Sequence, residues 1–366
     1  MIVITAKSAD DAWIQALDLL KKQGGVQSSR NGTTTELLHV AIEINDPRQR
    51  IVFAREMNPA FAIAEVVWIL SGANDVSFLS AWNSRMTKYV DGSNQYLHGA
   101  YGYRLGFVPS IGSRVGRSLR HGNWRDKLKS DQLHAAVRIL KNKPDSRQVI
   151  LQYWDSAKDL PGTTEKSKDI PCSIASHLLV RNDKLEWLHV MRSNDMIWGM
   201  PYNFVQFTTI QEIFAGWLGV EVGSYNHISD SLHIYGCHAE FLSNPTPLEN
   251  RELNHTDLRL PYDEWIKVWQ FIVTATLHLG RALDAKQVQK ALSCVPTMMP
   301  TGYKEWICVL GAESYRRLGY HDEALESIEG AGKYWAKSWI AWCKVKERQP
   351  ERAELTEGRM EGIVPE

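Results

Sequence analysis

Ile174-Ala175-Ser176-His177-Leu178-Leu179-Val180 and Lys184-Leu185-Glu186-Trp187-Leu188-His189-Val190 are separated by Arg181-Asn182-Asp183. The two apolar runs read as strands and the polar triplet between them as their turn. Downstream, Phe204 to Leu218 is a long apolar helix and Val220 to Tyr235 returns to strand character. Upstream, Val149 to Trp154 reads as a buried strand, Lys127 to Asn142 as a helix, and Leu37 to Ile44 as a strand. Asn58 to Leu70 is a helix with an apolar face, in which Glu65 sits among Ile63, Val66, Val67 and Trp68. A short strand, a helix from Asp10 to Lys22 and a Gly-rich turn make up the start of the chain. Strands and helices mix without a regular βαβ repeat, so the expected class is α+β: a mixed sheet with packed helices, not a doubly wound one.

Past Leu260 the pattern becomes helical. Trp265, Val268, Trp269, Ile272 and Val273 form one apolar stripe. Trp306, Val309, Leu310, Tyr315 and Leu318 form a second, and Ala324, Leu325 and Ile328 a third. The expected division is therefore 1–260 as a catalytic domain and 261–366 as a helical extension. Leu310 to Leu325 is similar to one tetratricopeptide-type helix pair, but no second copy follows and one pair cannot bury its own apolar face. An appendage packed on the main domain or on a partner subunit is the better reading.

The 366 residues are 44% apolar and 23% charged, with zero formal net charge. This is the balance of a globular protein and gives no electrostatic case for nucleic acid or an anionic membrane. The basic run from Arg114 to Arg120 lacks interleaved aromatics and reads as a glycine-containing loop. Five cysteines, at 172, 237, 294, 308 and 343, have no Cys-x-x-Cys spacing, so neither a metal site nor a disulfide framework is expected. No secretory signal or membrane-length apolar run is present, which points to a soluble, cytoplasmic protein.

The chemistry concentrates in three short segments. Asp169-Ile170-Pro171-Cys172-Ser173 precedes Arg192-Ser193-Asn194-Asp195 and Gly199-Met200-Pro201-Tyr202-Asn203. Alone, Cys172 is a packed thiol, Asp195 a turn cap and Asn203 a turn residue. Together they suggest a nucleophile beside a phosphate clamp and an amide that reads a heterocycle. A thiolate adding to C6 of a uracil makes C5 nucleophilic, and Cys172 would need a lowered pKa for this, supplied by nearby arginines. An asparagine can accept from N3–H and donate to O4, which favours uracil over cytosine.

In that order these motifs resemble the thymidylate synthase family, over roughly Ser28 to His238. The resemblance implies roles for further residues. Arg30, in Arg30-Asn31-Gly32-Thr33, would bind phosphate with Arg192 and Ser193, and Arg147 would reach it across a homodimer with shared active sites. Glu65 would relay protons, Tyr101 would assist loss of the C5 proton, and His233 and Tyr235 would hold the sugar. Trp82 and Asp195 would contact the cosubstrate, 5,10-methylenetetrahydrofolate, and no metal is implied. The expected reaction is conversion of dUMP to dTMP. The alternatives are 5-hydroxymethylation of a pyrimidine nucleotide (dUMP, UMP or dCMP) and a non-catalytic nucleotide-binding homologue. Four departures stand out: Gln148 where a second arginine is usual, Ser173 where a histidine is common, Ser229-Asp230-Ser231-Leu232 with its aspartate shifted by one position ahead of His233-Ile234-Tyr235, and a helical continuation where the family ends in a short tail closing over the folate.

Overall fold

The computed structural model describes residues 1–29, 32–90, 95–106, 131–164, 167–243 and 252–348. Arg30, the Arg114–Arg120 run, the start of the helix expected from Lys127 and the tail beyond Arg348 lie outside these residues.

Eight strands form one mixed sheet: β1 (Ile2–Ala6), β2 (Gly25–Ser29), β3 (Gly32–Ile44), β4 (Ile150–Gln152), β5 (Ser173–Arg181), β6 (Lys184–Met191), β7 (Asn194–Asp195) and β8 (Glu221–Tyr235). The order is β1-β3-β8-β6-β5-β4, with β2 on β3 and β7 on β8. The β5–β6 hairpin closes as its sequence suggests. Asn182 and Asp183 sit at φ 50° and 56°, the paired left-handed geometry whose twist matches antiparallel strands. β6 and β8 run parallel, joined by the helix Met200–Leu218 crossing over them. The expected Gly-rich turn near the N-terminus instead carries β2, paired with the early part of β3.

Met200–Leu218 is buried on nearly every side, which explains its lack of polar periodicity. Pro201 opens it and Gly219, at φ 75°, ends it. Its polar residues need internal partners. Gln211 Nε2 donates to the carbonyls of Leu185 (2.8 Å) and Ser224 (3.0 Å), and Glu212 pairs with the fully buried Arg50. Against this helix packs Pro59–Leu70, started by Asn58, whose Oδ1 accepts from the N–H groups of Ala60 (3.0 Å) and Phe61 (3.1 Å).

The C-terminal region is helical, as expected: Tyr262–Arg281, Ala285–Ser293, Thr301–Arg317, His321–Glu329 and Gly332–Arg348. It is not held at arm's length. One cluster of buried apolar residues includes members from both sides of Leu260. Trp217 packs on Trp265 (ring centres 4.6 Å), which stacks on Trp269 (4.9 Å). The Tyr334 hydroxyl accepts from the Ile51 N–H at 2.7 Å, and Tyr303 donates to the Leu258 carbonyl at 2.7 Å. The first two stripes are largely buried, whereas Leu325 of the third is exposed. Among the described residues, no helix is long and apolar enough to cross a membrane.

Candidate active site

Cys172 lies immediately before β5, and its carbonyl accepts the Arg192 N–H at 2.9 Å. Arg192 then folds back over the loop, donating from Nε to the Pro171 carbonyl (3.0 Å) and from Nη2 to that of Ile170 (3.2 Å). The guanidinium expected to clamp phosphate therefore also shapes the nucleophile's loop. All five cysteines are free thiols, and Cys172 is half-buried. Its electrostatics differ from the sequence expectation. Burial pushes the thiol up, Arg192 pulls it down and Asp195 pushes it up again, and the net shift is upward. Desolvation of a thiolate outweighs one partly diverted arginine.

Tyr101 opens the short helix Tyr101–Leu105. A Cβ at Gly102 would collide with the Ile69 carbonyl, so the glycine lets Tyr101 come close to the helix that carries Glu65. The Tyr101 ring packs against Tyr153 (5.5 Å) and Phe207 (5.8 Å), and its phenol shares a hydrogen bond with Ser173. Burial first, then Cys172, drives its pKa well above the ordinary value.

Glu65 is the one residue of its helix that is not fully buried, and it faces Gln206. Burial raises its carboxyl to about 8, against a hydrogen bond from the Gln206 side chain that acts in the opposite direction. Gln206 Oε1 in turn accepts from Asn203 Nδ2 at 3.1 Å. Among the described residues, Asn203 Oδ1 and Glu65 Oε2 are both buried without a protein partner. Gln206 was not anticipated from the sequence, where it is one polar residue in an apolar helix.

Asp195 and His233 are register partners in the β7–β8 pairing. Asp195 Oδ1 accepts from the N–H groups of Ile197 (2.6 Å) and Trp198 (3.0 Å), the turn-capping behaviour of an isolated aspartate, while Oδ2 takes no part in those bonds. His233 is buried and packs edge-on to Tyr235 at 5.1 Å. Tyr89 was also missed. Its phenol is raised by burial and then by Asp195, Cys172, Tyr235 and Glu65, which places it among the very groups singled out from the sequence. Ser193 is half-buried on the same connection as Asp195.

Two expected residues stand apart. Arg147 is exposed, and its backbone carbonyl accepts from His177 Nε2 at 3.2 Å. Trp82 is buried beneath the C-terminal helices. The Arg317 guanidinium lies 4.7 Å from its ring centre, and a Cβ at Gly280 would come within 2.8 Å of its Nε1. The open tryptophan at the site is Trp198, with the guanidinium groups of Arg55 and Arg85 each 4.7 Å from its ring centre. Among the described residues, no group of three or more acidic, histidine or cysteine side chains is arranged to hold a metal.

The thymidylate synthase family model matches residues 11–273, and the chain belongs to that family. It is 35% identical over 238 residues to a deoxyuridylate hydroxymethyltransferase of Bacillus phage SP01, covering 64% of this chain and 59% of that protein. It is 31% identical over 259 residues to one of Pseudomonas phage M6, covering 69% of this chain and 66% of that protein. A thymidylate synthase of Corynebacterium aurimucosum is 25% identical over 241 residues, covering 64% of this chain and 82% of that protein. The chain thus spans less than two thirds of the length of either phage relative.

Proposed function

We propose that this protein transfers a one-carbon unit from methylenetetrahydrofolate to C5 of dUMP and releases 5-hydroxymethyl-dUMP. The observation that carries the substrate class is Asn203: a buried carboxamide with an unpartnered acceptor, tied through Gln206 to a carboxyl raised to about 8. Hydroxymethyl rather than methyl transfer is favoured by the two phage relatives, which are more similar to this chain than the thymidylate synthase is.

In this reading Cys172 Sγ adds to C6, and the negative charge that moves to O4 meets the second N–H of Asn203. The raised thiol means that the proton must be taken up as the bond forms. C5 then accepts the one-carbon unit, which tetrahydrofolate supplies at the oxidation level of formaldehyde. Arg85, half-buried over Trp198, fits a carboxylate of the folate's glutamate, while Arg55 against the same ring is buried and donates to the Ile197 carbonyl. Tyr101 conducts the C5 proton away, Glu65 exchanges protons around O4, and water completes the hydroxymethyl group as Sγ leaves C6. Arg192 and Ser193 hold the phosphate, joined by Arg30 and by Arg147 of a second subunit; His233 and Tyr235 hold the sugar.

The test is the mass of the nucleotide formed from dUMP and methylenetetrahydrofolate. The expected product carries an added CH2O unit. A product carrying CH2, with oxidation of the folate to dihydrofolate, would establish the methylating reaction instead.

A further inference from the structure

Asn203 and Gln206 lie three residues apart on one face of the central helix and are 6% and 4% exposed. Asn203 donates from Nδ2 to Gln206 Oε1 at 3.1 Å, and the Gln206 side chain hydrogen-bonds the Glu65 carboxyl on the facing helix. A carboxamide whose nitrogen is tied on one side must turn its oxygen to the other. Oδ1 is indeed buried and unpartnered, as is Glu65 Oε2. Turning the Asn203 amide over would set Oδ1 against Gln206 Oε1, acceptor against acceptor. Turning both amides would give up the hydrogen bond that Gln206 now donates to Glu65 and leave Gln206 Oε1 facing that carboxyl. The arrangement resists either flip.

That orientation decides which ring fits. Uracil offers a donor at N3 and an acceptor at O4, matching a fixed Oδ1 and the remaining Asn203 N–H. Cytosine offers an acceptor at N3 and a donor at its exocyclic amine, and would match only the flipped amide. We propose that Gln206 is a positioning residue that locks the Asn203 carboxamide in its uracil-reading orientation, so that selection against cytosine depends on a residue that touches no substrate. The inference rests on Asn203 facing the base.

Gln206→Met removes both hydrogen-bonding functions at nearly constant volume in a residue suited to a helix. Gln206→Glu keeps an acceptor for Asn203 Nδ2. Binding of dUMP and dCMP is measured by calorimetry on the full chain, with folding monitored by circular dichroism. The expected result is that preference for dUMP over dCMP falls about tenfold or more in Gln206→Met, the worth of one hydrogen bond, and is retained in Gln206→Glu. A folded Gln206→Met with unchanged preference overturns the proposal, as does equal loss in both variants. If Gln206→Met does not fold, Gln206→Glu decides alone: retained preference supports the lock, and lost preference overturns it. Asn203→Ala separates the underlying reading. If it leaves dUMP binding and the preference intact, Asn203 does not face the base and the proposal falls for that distinct reason.

Discussion

The central helix borders two buried polar neighbourhoods that differ in how completely they are paired. Toward the sheet, Phe207 stacks on His189 at 3.6 Å, and both imidazole nitrogens are engaged, Nε2 with Ser173 at 3.0 Å and Nδ1 with Ser176 at 2.8 Å. Ser176 continues to the Tyr153 hydroxyl at 3.2 Å. Burial first, then His227, holds His189 neutral, so the cluster is a set of uncharged hydrogen bonds that reaches Tyr101 through Ser173. Toward the Glu65 helix, two acceptors are buried and left open. An unsatisfied buried acceptor costs about 1–3 kcal/mol. One cluster thus strengthens the fold, while the other carries a cost that a bound pyrimidine would relieve. Between these two clusters the difference lies in pairing more than in burial.

The strongest way to break this contrast is Cys172→Ala. Turnover should fall by roughly 10⁴-fold or more, since no other side chain on this loop can add to C6, while the melting temperature changes little. Release of tritium from 5-tritiated dUMP reads the first and calorimetry the second; retained exchange would remove Cys172 from the mechanism. His189→Leu should act in the opposite sense. It strips a partner from two buried serines and should lower unfolding free energy by about 2 kcal/mol, seen as a lower urea midpoint, with the preference for dUMP over dCMP unchanged. A lost preference would mean that the paired cluster also belongs to the site.

A further effect is expected in the pH dependence of stability. Glu65 holds its proton up to about 8 in the fold, against an ordinary 4.5. Its contribution is full below the ordinary value and declines as pH rises toward about 8, because the unfolded chain ionises first. Glu65→Gln should flatten that part of the stability profile, as measured by urea midpoints across the same range. An unchanged slope would show that Glu65 is not held in its neutral form.

What the sequence disclosed follows from what is local. The Asn182-Asp183 turn, the apolar runs around it and the order of the Cys172, Arg192 and Asn203 segments are all read within short windows, and the hairpin and the mixed sheet follow from them. Gln206 and Tyr89 acquire meaning only from partners on other elements, so no window could reveal them. The direction of the Cys172 shift was missed because desolvation depends on what surrounds a thiol, not on which arginine follows it. The cover that the C-terminal helices lay over Trp82 is likewise invisible in any window around it.

The bond from Ile51 N–H to Tyr334 joins residues 283 positions apart and carries a consequence for biosynthesis. At ordinary elongation speeds, roughly 5–20 residues per second, the first partner waits roughly 15–60 s for the second to be made. Throughout that interval the Glu65 helix lacks part of the surface it packs against, and the nascent chain must keep a set of large aromatic and aliphatic side chains from premature association. The packing around the Glu65 helix is therefore completed only once the helix Gly332–Arg348 has been made, long after every candidate catalytic side chain has been synthesised.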